Sequence, residues 1–250
     1  SAGNEWRSGG DLNFNTGRWN SNTTVQYSTV ETIRLTGAFD TESKIHEIFG
    51  GNTLNVKERL TYHVNDNLRF IARGGYFARV SNRANYDDHY HDYSGGLRSV
   101  WQIDATQNLE LSYSYDQYDK ARYTGGERTH DHDYSNHQHI AHGLYTKFWG
   151  ANGLTVGADC MYDFLSTYQF AGNNSHAQTT LDAFVQFDYN PLSWLNIVAS
   201  VRDDYFSESD NNALTARLAT MFKFKPLSIR ASYAGGFRAP TLKEMYMCFD

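Results

Sequence analysis

Five of the ten histidines of this 250-residue chain fall within residues 127–142: His130, His132, His137, His139 and His142. Alternate side chains of an extended chain share a side, so His130 and His132 form one pair of rings and His137 and His139 another. A hairpin would bring the two pairs together. Neutral imidazole ligates zinc, copper, nickel or haem iron, which makes these four the candidate metal and ligand contacts. A smaller cluster, Asp87, Asp88, His89, Tyr90 and His91, adds His89 and His91 to the ligand-binding candidates if both stretches project from one rim. The competing reading is a solvated acidic-histidine loop tip, because Asp131 and Asp133 interleave with the rings and no helical spacing fixes them. His46, His63 and His176 have no supporting context and read as ordinary core or surface histidines.

Catalytic patterns are missing. There is no Gly-x-Ser-x-Gly, no His-Glu-x-x-His, no phosphate loop and no dinucleotide fingerprint, and the glycine pairs Gly9-Gly10 and Gly125-Gly126 are too common to mark a site. The chain reads as a non-enzyme with no catalytic residues and no intrinsic cofactor. A net charge of -6 without a Lys/Arg cluster argues against a nucleic-acid partner. The two cysteines, Cys160 in a strand pattern and Cys248 in the final segment, make no disulfide framework and read as unpaired. No signal peptide stands at Ser1, so an exported origin is inferred from the strand pattern alone.

The elements that must carry these residues are strands. Three prolines and 15% aromatic residues, tyrosine foremost, favour sheet over helix. A mean hydropathy of -0.62 with no run of eighteen apolar residues excludes a helical membrane protein. It does not exclude a membrane barrel, whose strands carry apolar residues only at every second position. Turn formers cluster at 65–67, 105–108, 150–153, 190–192 and 225–226, roughly every forty residues. Wider polar stretches lie between them, at 81–91, 119–138, 167–178 and 207–212, and a fifth begins at Gly235. Short connections on one side and long ones on the other are the wiring of an outer-membrane barrel.

Strand faces fit that wiring. Leu154, Val156, Ala158, Cys160, Tyr162 and Phe164 oppose Thr155, Gly157, Asp159, Met161 and Asp163, and Leu214, Ala216, Leu218, Phe222 and Phe224 oppose Thr215, Arg217 and Lys223. In a barrel the first set meets lipid and the second the lumen, where Arg202, Asp203, Asp204, Arg217, Arg230 and Asp163 would pair or meet a plug. In a soluble sandwich the first set would meet a second sheet. Trp101, Trp149, Trp194, Tyr189, Phe222 and Phe224 near the tight turns, with Tyr90, Tyr93, Tyr115, Tyr118, Tyr168, Phe170, Tyr205 and Phe206 near the wide stretches, match two interfacial belts. The first fifty residues are less orderly: 11–14 and 23–38 look like strands, the phase slips near Val30, and 41–52 has no clear period. The expected fold is all-β, an antiparallel transmembrane β-barrel, with residues 1–250 supplying about twelve strands of a larger barrel.

The most specific stretch is residues 228–246. Alternation through Leu227, Ile229, Ala231 and Tyr233 gives way to Gly235-Gly236, then to Pro240, and Thr241 three residues before Glu244 is a capping box that starts a short helical turn. The run from Gly236 through Phe237, Arg238, Ala239 and Pro240 to Tyr246 resembles the Phe-Arg-Ala-Pro box of TonB-dependent outer-membrane receptors, especially the haem and iron-chelate branch. The resemblance implies a bacterial outer-membrane barrel around an N-terminal plug. It further implies TonB-driven uptake of haem or a ferric chelate as cargo, with membrane lipid, TonB reached through the plug, and a haem-carrying protein as partners. The plug and the remaining strands read as absent from residues 1–250. The haem-type members' histidine between this box and a downstream Asn-Pro box has no counterpart before Asp250, so other chelates stay open. Arg238 either contacts an anionic ligand or pins the loop, and its neighbours Gly235, Gly236 and Pro240 favour pinning. The alternatives are a smaller self-contained outer-membrane porin or enzyme and a soluble carbohydrate-binding β protein with exposed aromatics.

Overall fold

The computed structural model describes residues 4–34, 47–170 and 172–247. His46, Cys248 and part of the aperiodic 41–52 stretch lie outside the described residues. The strands are β1 (Glu5–Thr16), β2 (Trp19–Val30), β3 (Ile33–Arg34), β4 (Glu47–Ile48), β5 (Gly51–His63), β6 (Leu68–Asn82), β7 (Asp87–Asp104), β8 (Gln107–Thr124), β9 (Glu127–Trp149), β10 (Asn152–Thr167), β11 (Ser175–Leu192), β12 (Leu195–Phe206), β13 (Asn211–Phe224) and β14 (Leu227–Ala234), followed by the helix α1 (Leu242–Tyr246). Twelve of the strands form one antiparallel meander in the order β1-β2-β5 through β14, while β3 and β4 pair separately. Among the described residues β1 and β14 do not pair with each other, so the wall is open, as a portion of a larger barrel would be.

Alternation decides which solvent each face meets. Val156 is 42% exposed, Leu181 44%, Leu214 73% and Leu218 50%, with no second layer over them. The sandwich alternative required those leucines to be sealed, and they are bare. The opposite face carries Asp159, Asp163, Asp182, Arg202, Asp204 and Arg217, held in the same rows by register. Asp203, expected in the lumen, is one residue out of phase with Asp204 and therefore stands with Val201 and Leu214 on the outer face. The tight-turn end carries an outer belt in which Trp19 meets Tyr62 at 4.3 Å, Trp149 meets Phe187 at 5.7 Å and Trp194 meets Phe224 at 5.6 Å. Tyr76 and Tyr93, 5.2 Å apart, begin a second belt toward the other end.

The widest polar stretch, 119–138, is not a loop. A transmembrane strand needs roughly 9–11 residues, yet β8 has 18 and β9 has 23, so both continue well past the second belt as a paired hairpin. Its tip is the glycine pair that looked uninformative: Gly125 and Gly126 have φ of 63° and 88°, which is the two-residue turn whose twist matches the flanking strands. Residues 83–86 and 207–210 likewise connect strands with only a few residues. Polar residues continue the ladder there because both faces of the hairpin meet water, so alternation of hydropathy disappears while backbone pairing persists.

Candidate functional site

The mouth at the tall-hairpin end is built around the chain's exit from β14. Gly235 donates its N–H to the Ala216 carbonyl at 3.0 Å, the last bond of the ladder. The backbone then turns into α1, which Thr241 caps: its hydroxyl accepts from the Glu244 N–H at 3.3 Å, and the Glu244 carboxylate accepts from the Thr241 N–H at 2.9 Å. Arg238 also donates to Glu244. The Thr241 N–H and hydroxyl, and then the Arg238 guanidinium, hold the Glu244 carboxyl below the ordinary range. Arg238 is thus tied to a side chain at the helix start, and its guanidinium stays largely exposed.

One buried side chain fixes where α1 lies. Leu242, 1% exposed, packs with Leu165 of β10 and Phe170 of the β10–β11 connection, and Tyr134, Met245, Tyr246 and Met247 close the cluster. Leu165 shares its face with Asp159 and Asp163, so the helix covers the inner side of the wall. Tyr246 stacks flat on His176 at 3.6 Å and 2°, and its hydroxyl donates to Glu208, which pushes the phenol upward. Lys243 lies over the Tyr134 ring at 5.1 Å, and Phe237 meets Phe206 at 5.5 Å. His176 had no context in the sequence. Its partners Glu208 and Tyr246 lie on other elements, and no local spacing announces such a contact.

The histidine pairs do not converge. Opposite Ala121 the ladder holds four residues, 130–133, between the pairs Lys120↔Tyr134 and Arg122↔Thr129. His130 and His132 lie in this bulge, where alternation fails. His130 bonds Asp133 at 2.9 Å, Arg128 bonds the same carboxylate at 2.9 Å, and His132 faces Asp131 at 3.1 Å and the Tyr168 ring at 4.9 Å. Burial raises the Asp133 carboxyl, but Arg128 and His130 outweigh it and hold it low. His137 and His139 sit lower, in regular strand on the outer face, where His139 meets Tyr113 at 2.7 Å and the Tyr115 ring at 4.9 Å. His89 and His91 share that outer face, with His91 bonded to Tyr76 at 3.0 Å. His142 is on the inner face against Asp159. The expected joining of His130 and His132 with His137 and His139 therefore does not occur: all four are on one strand, the bulge re-aims the upper pair, and the lower pair belongs to the tyrosine belt. Among the described residues no group of three or more His, Cys, Asp or Glu side chains is placed to hold a metal ion.

Comparisons with known proteins agree with this geometry. Residues 2–249 match the family model described as TonB dependent receptor-like, beta-barrel. No curated protein sequence matches. Among solved structures, the siderophore receptor PirA from Pseudomonas aeruginosa superposes with a TM-score of 0.76 at 13% identity, over 96% of this chain and 41% of that one. A mutant of the ferric enterobactin receptor PfeA from the same organism gives 0.75 at 12%, over 96% and 42%. The copper transporter OprC gives 0.67 at 11%, over 95% and 45%. At these identities the likeness is one of fold, and the chain spans less than half the length of each solved relative.

Proposed function

The chain belongs to the TonB-dependent receptor-like β-barrel family, outer-membrane transporters of bacteria rather than enzymes, and from that premise we propose that it forms wall and mouth of a receptor that takes up an iron chelate. The observation that carries the reading is the ordered exit at the mouth: a capped helix tucked over the inner face by Leu242 and stacked on His176, beside a hairpin that rises above the bilayer. A pore for bulk diffusion needs neither device. The siderophore receptors among the fold relatives favour a ferric chelate as cargo, and haem is one member of that ligand set. TonB, acting through a plug domain, supplies the drive, and a haem-carrying protein is the external partner if haem is the cargo.

Of the seven candidate contacts, His130 and His132 in the bulge and the exposed Arg238 guanidinium stand at the mouth, and these we assign to the ligand. His89, His91, His137 and His139 we assign to the outer surface, with the tyrosines at the membrane boundary. The test is growth on limiting iron by a strain whose only high-affinity receptor is the full-length protein, supplied separately with catecholate, hydroxamate and citrate chelates of iron and with haem. Growth on at least one, lost when TonB is deleted, is expected. Failure on all of them with the receptor folded in the outer membrane would refute the reading. A Soret difference spectrum with the His130→Ala/His132→Ala variant then decides the haem question.

A further inference from the structure

Charge is unevenly paired along the inner wall. In β10–β12 Arg202 is bonded to Asp182 at 3.1 Å and to Asp204 at 2.9 Å, whereas β5–β7 carries Lys57, Arg59, Arg73 and Arg98 together with Asp88 and Asp92. Arg59 and Arg73 are directly opposed partners of the β5–β6 ladder on one face, which sets their Cβ atoms about 5 Å apart. Like charges in that relation repel. The nearby acids do little to relieve it: Glu58 points the other way and is bonded by Ser21 at 2.7 Å and by Thr23, and Glu110 is taken by Arg98 at 2.5 Å. Among the described residues no carboxylate forms an ion pair with Lys57, Arg59 or Arg73, although Asp116 lines the same ground and Asp92 feels the charge of Lys57.

The four cations surround a hollow of about 640 Å³. Its floor is bare because Gly75 and Gly96 stand where side chains would project inward, and Ser94, Ser112 and Ser114 add short hydroxyls. A Cβ at Gly75 would come within 2.4 Å of the Ser94 hydroxyl, which would have to turn away, and one at Gly96 within 3.2 Å of the Tyr113 carbonyl, so a larger residue at either place would crowd the floor. Two guanidinium side chains set side by side on one wall of the hollow match flat carboxylates, which each can grip through two N–H groups.

We propose that this recess is an oxyanion site, in which carboxylate groups lodge between Arg59 and Arg73 and cancel their repulsion. Lys57 and Arg98 lie on its margin. The carboxylates come either from acidic side chains of receptor polypeptide occupying the lumen or from a soluble polycarboxylate entering it. The site goes beyond the uptake reading and stands or falls without it, because its test uses no transport.

The test is made on the purified full-length receptor in detergent, wild type against Arg59→Gln and Arg73→Gln, by thermal unfolding at low salt with and without citrate and against sodium chloride of equal ionic strength. If the receptor's own carboxylates fill the site, both variants melt below wild type at low salt and citrate changes nothing. If the site takes a free anion, citrate raises the wild-type midpoint and binds each variant about tenfold or more weakly, the weight of one charge-assisted hydrogen bond. An unfilled site gives the opposite sign, since removing one of two repelling arginines relieves strain. Variants as stable as wild type or more so, with no citrate effect distinct from chloride, overturn the proposal. Using both positions guards against one variant failing to fold.

Discussion

Replacing Leu242 by Ala isolates the contact that docks α1. A helix of five residues has no stability of its own in water, so its order depends on what it packs against. Leu242 is its one deeply buried side chain, 1% exposed between Leu165 and Phe170. Truncating a buried Leu to Ala costs about 2–5 kcal/mol, and even the lower figure multiplies the undocked population about 30-fold. The readout is amide hydrogen exchange of residues 238–247 in the full-length receptor, where the Met245 N–H to Thr241 and the Met247 N–H to Lys243 bonds, both 3.0 Å, report the docked state. Protection there should fall at least tenfold while β10–β13 stay protected. Leu218→Ala on the lipid face is the control and should leave the segment untouched. Unchanged protection in Leu242→Ala would show that Arg238, Glu244 and the Tyr246 stack hold the helix without its apolar anchor, and the account of the mouth would be wrong.

Three other outcomes follow from the geometry. Because the folded Glu244 carboxyl titrates below its unfolded value, its contribution is complete above about pH 4.3 and fades as pH falls through the lower folded value; protection at 241–247, taken relative to the intrinsic exchange rate at each pH, should therefore fall under acid, and Glu244→Gln should remove that dependence. Gly51→Ala places a Cβ 2.1 Å from the Val80 carbonyl oxygen, a backbone clash that no rotamer relieves, so the fraction of heat-modifiable, folded receptor on gels should drop sharply. Leu218→Arg puts a cation on the lipid face between the belts and should cost about 2–4 kcal/mol, seen as weaker folding into phospholipid vesicles than for Ser200→Arg on the lumen face.

Most of the wall was legible because lipid imposes period two. The apolar rows through Leu154 and Val156 and through Leu214 and Leu218 could be read residue by residue, and so could the capping box at Thr241, whose signal is local. What failed was the tall hairpin above the bilayer and the contacts between distant residues at the mouth. Where both faces meet water the alternation of hydropathy vanishes, so β8 and β9 looked like loops around 119–138, and the turn at Gly125-Gly126 passed as an ordinary glycine pair although positive φ at both positions was its purpose. The histidine pairs were misplaced for a related reason: an unpaired run opposite Ala121 breaks the facing rule, and no residue type in that run marks it. His176 with Tyr246 lay beyond any local signal, since the stack joins the start of β11 to the end of α1, 70 positions apart.

The two-glycine tip also constrains how this hairpin can change over evolutionary time. With no slack at the apex, a residue gained on one arm alone must either displace every outward side chain below it to the pore or be stored as a kink, as residues 130–133 already are. Insertions and deletions in descendants should therefore come in matched couples, one per arm, or accumulate at that kink, and the height of the spire above the cell would vary in quantised steps.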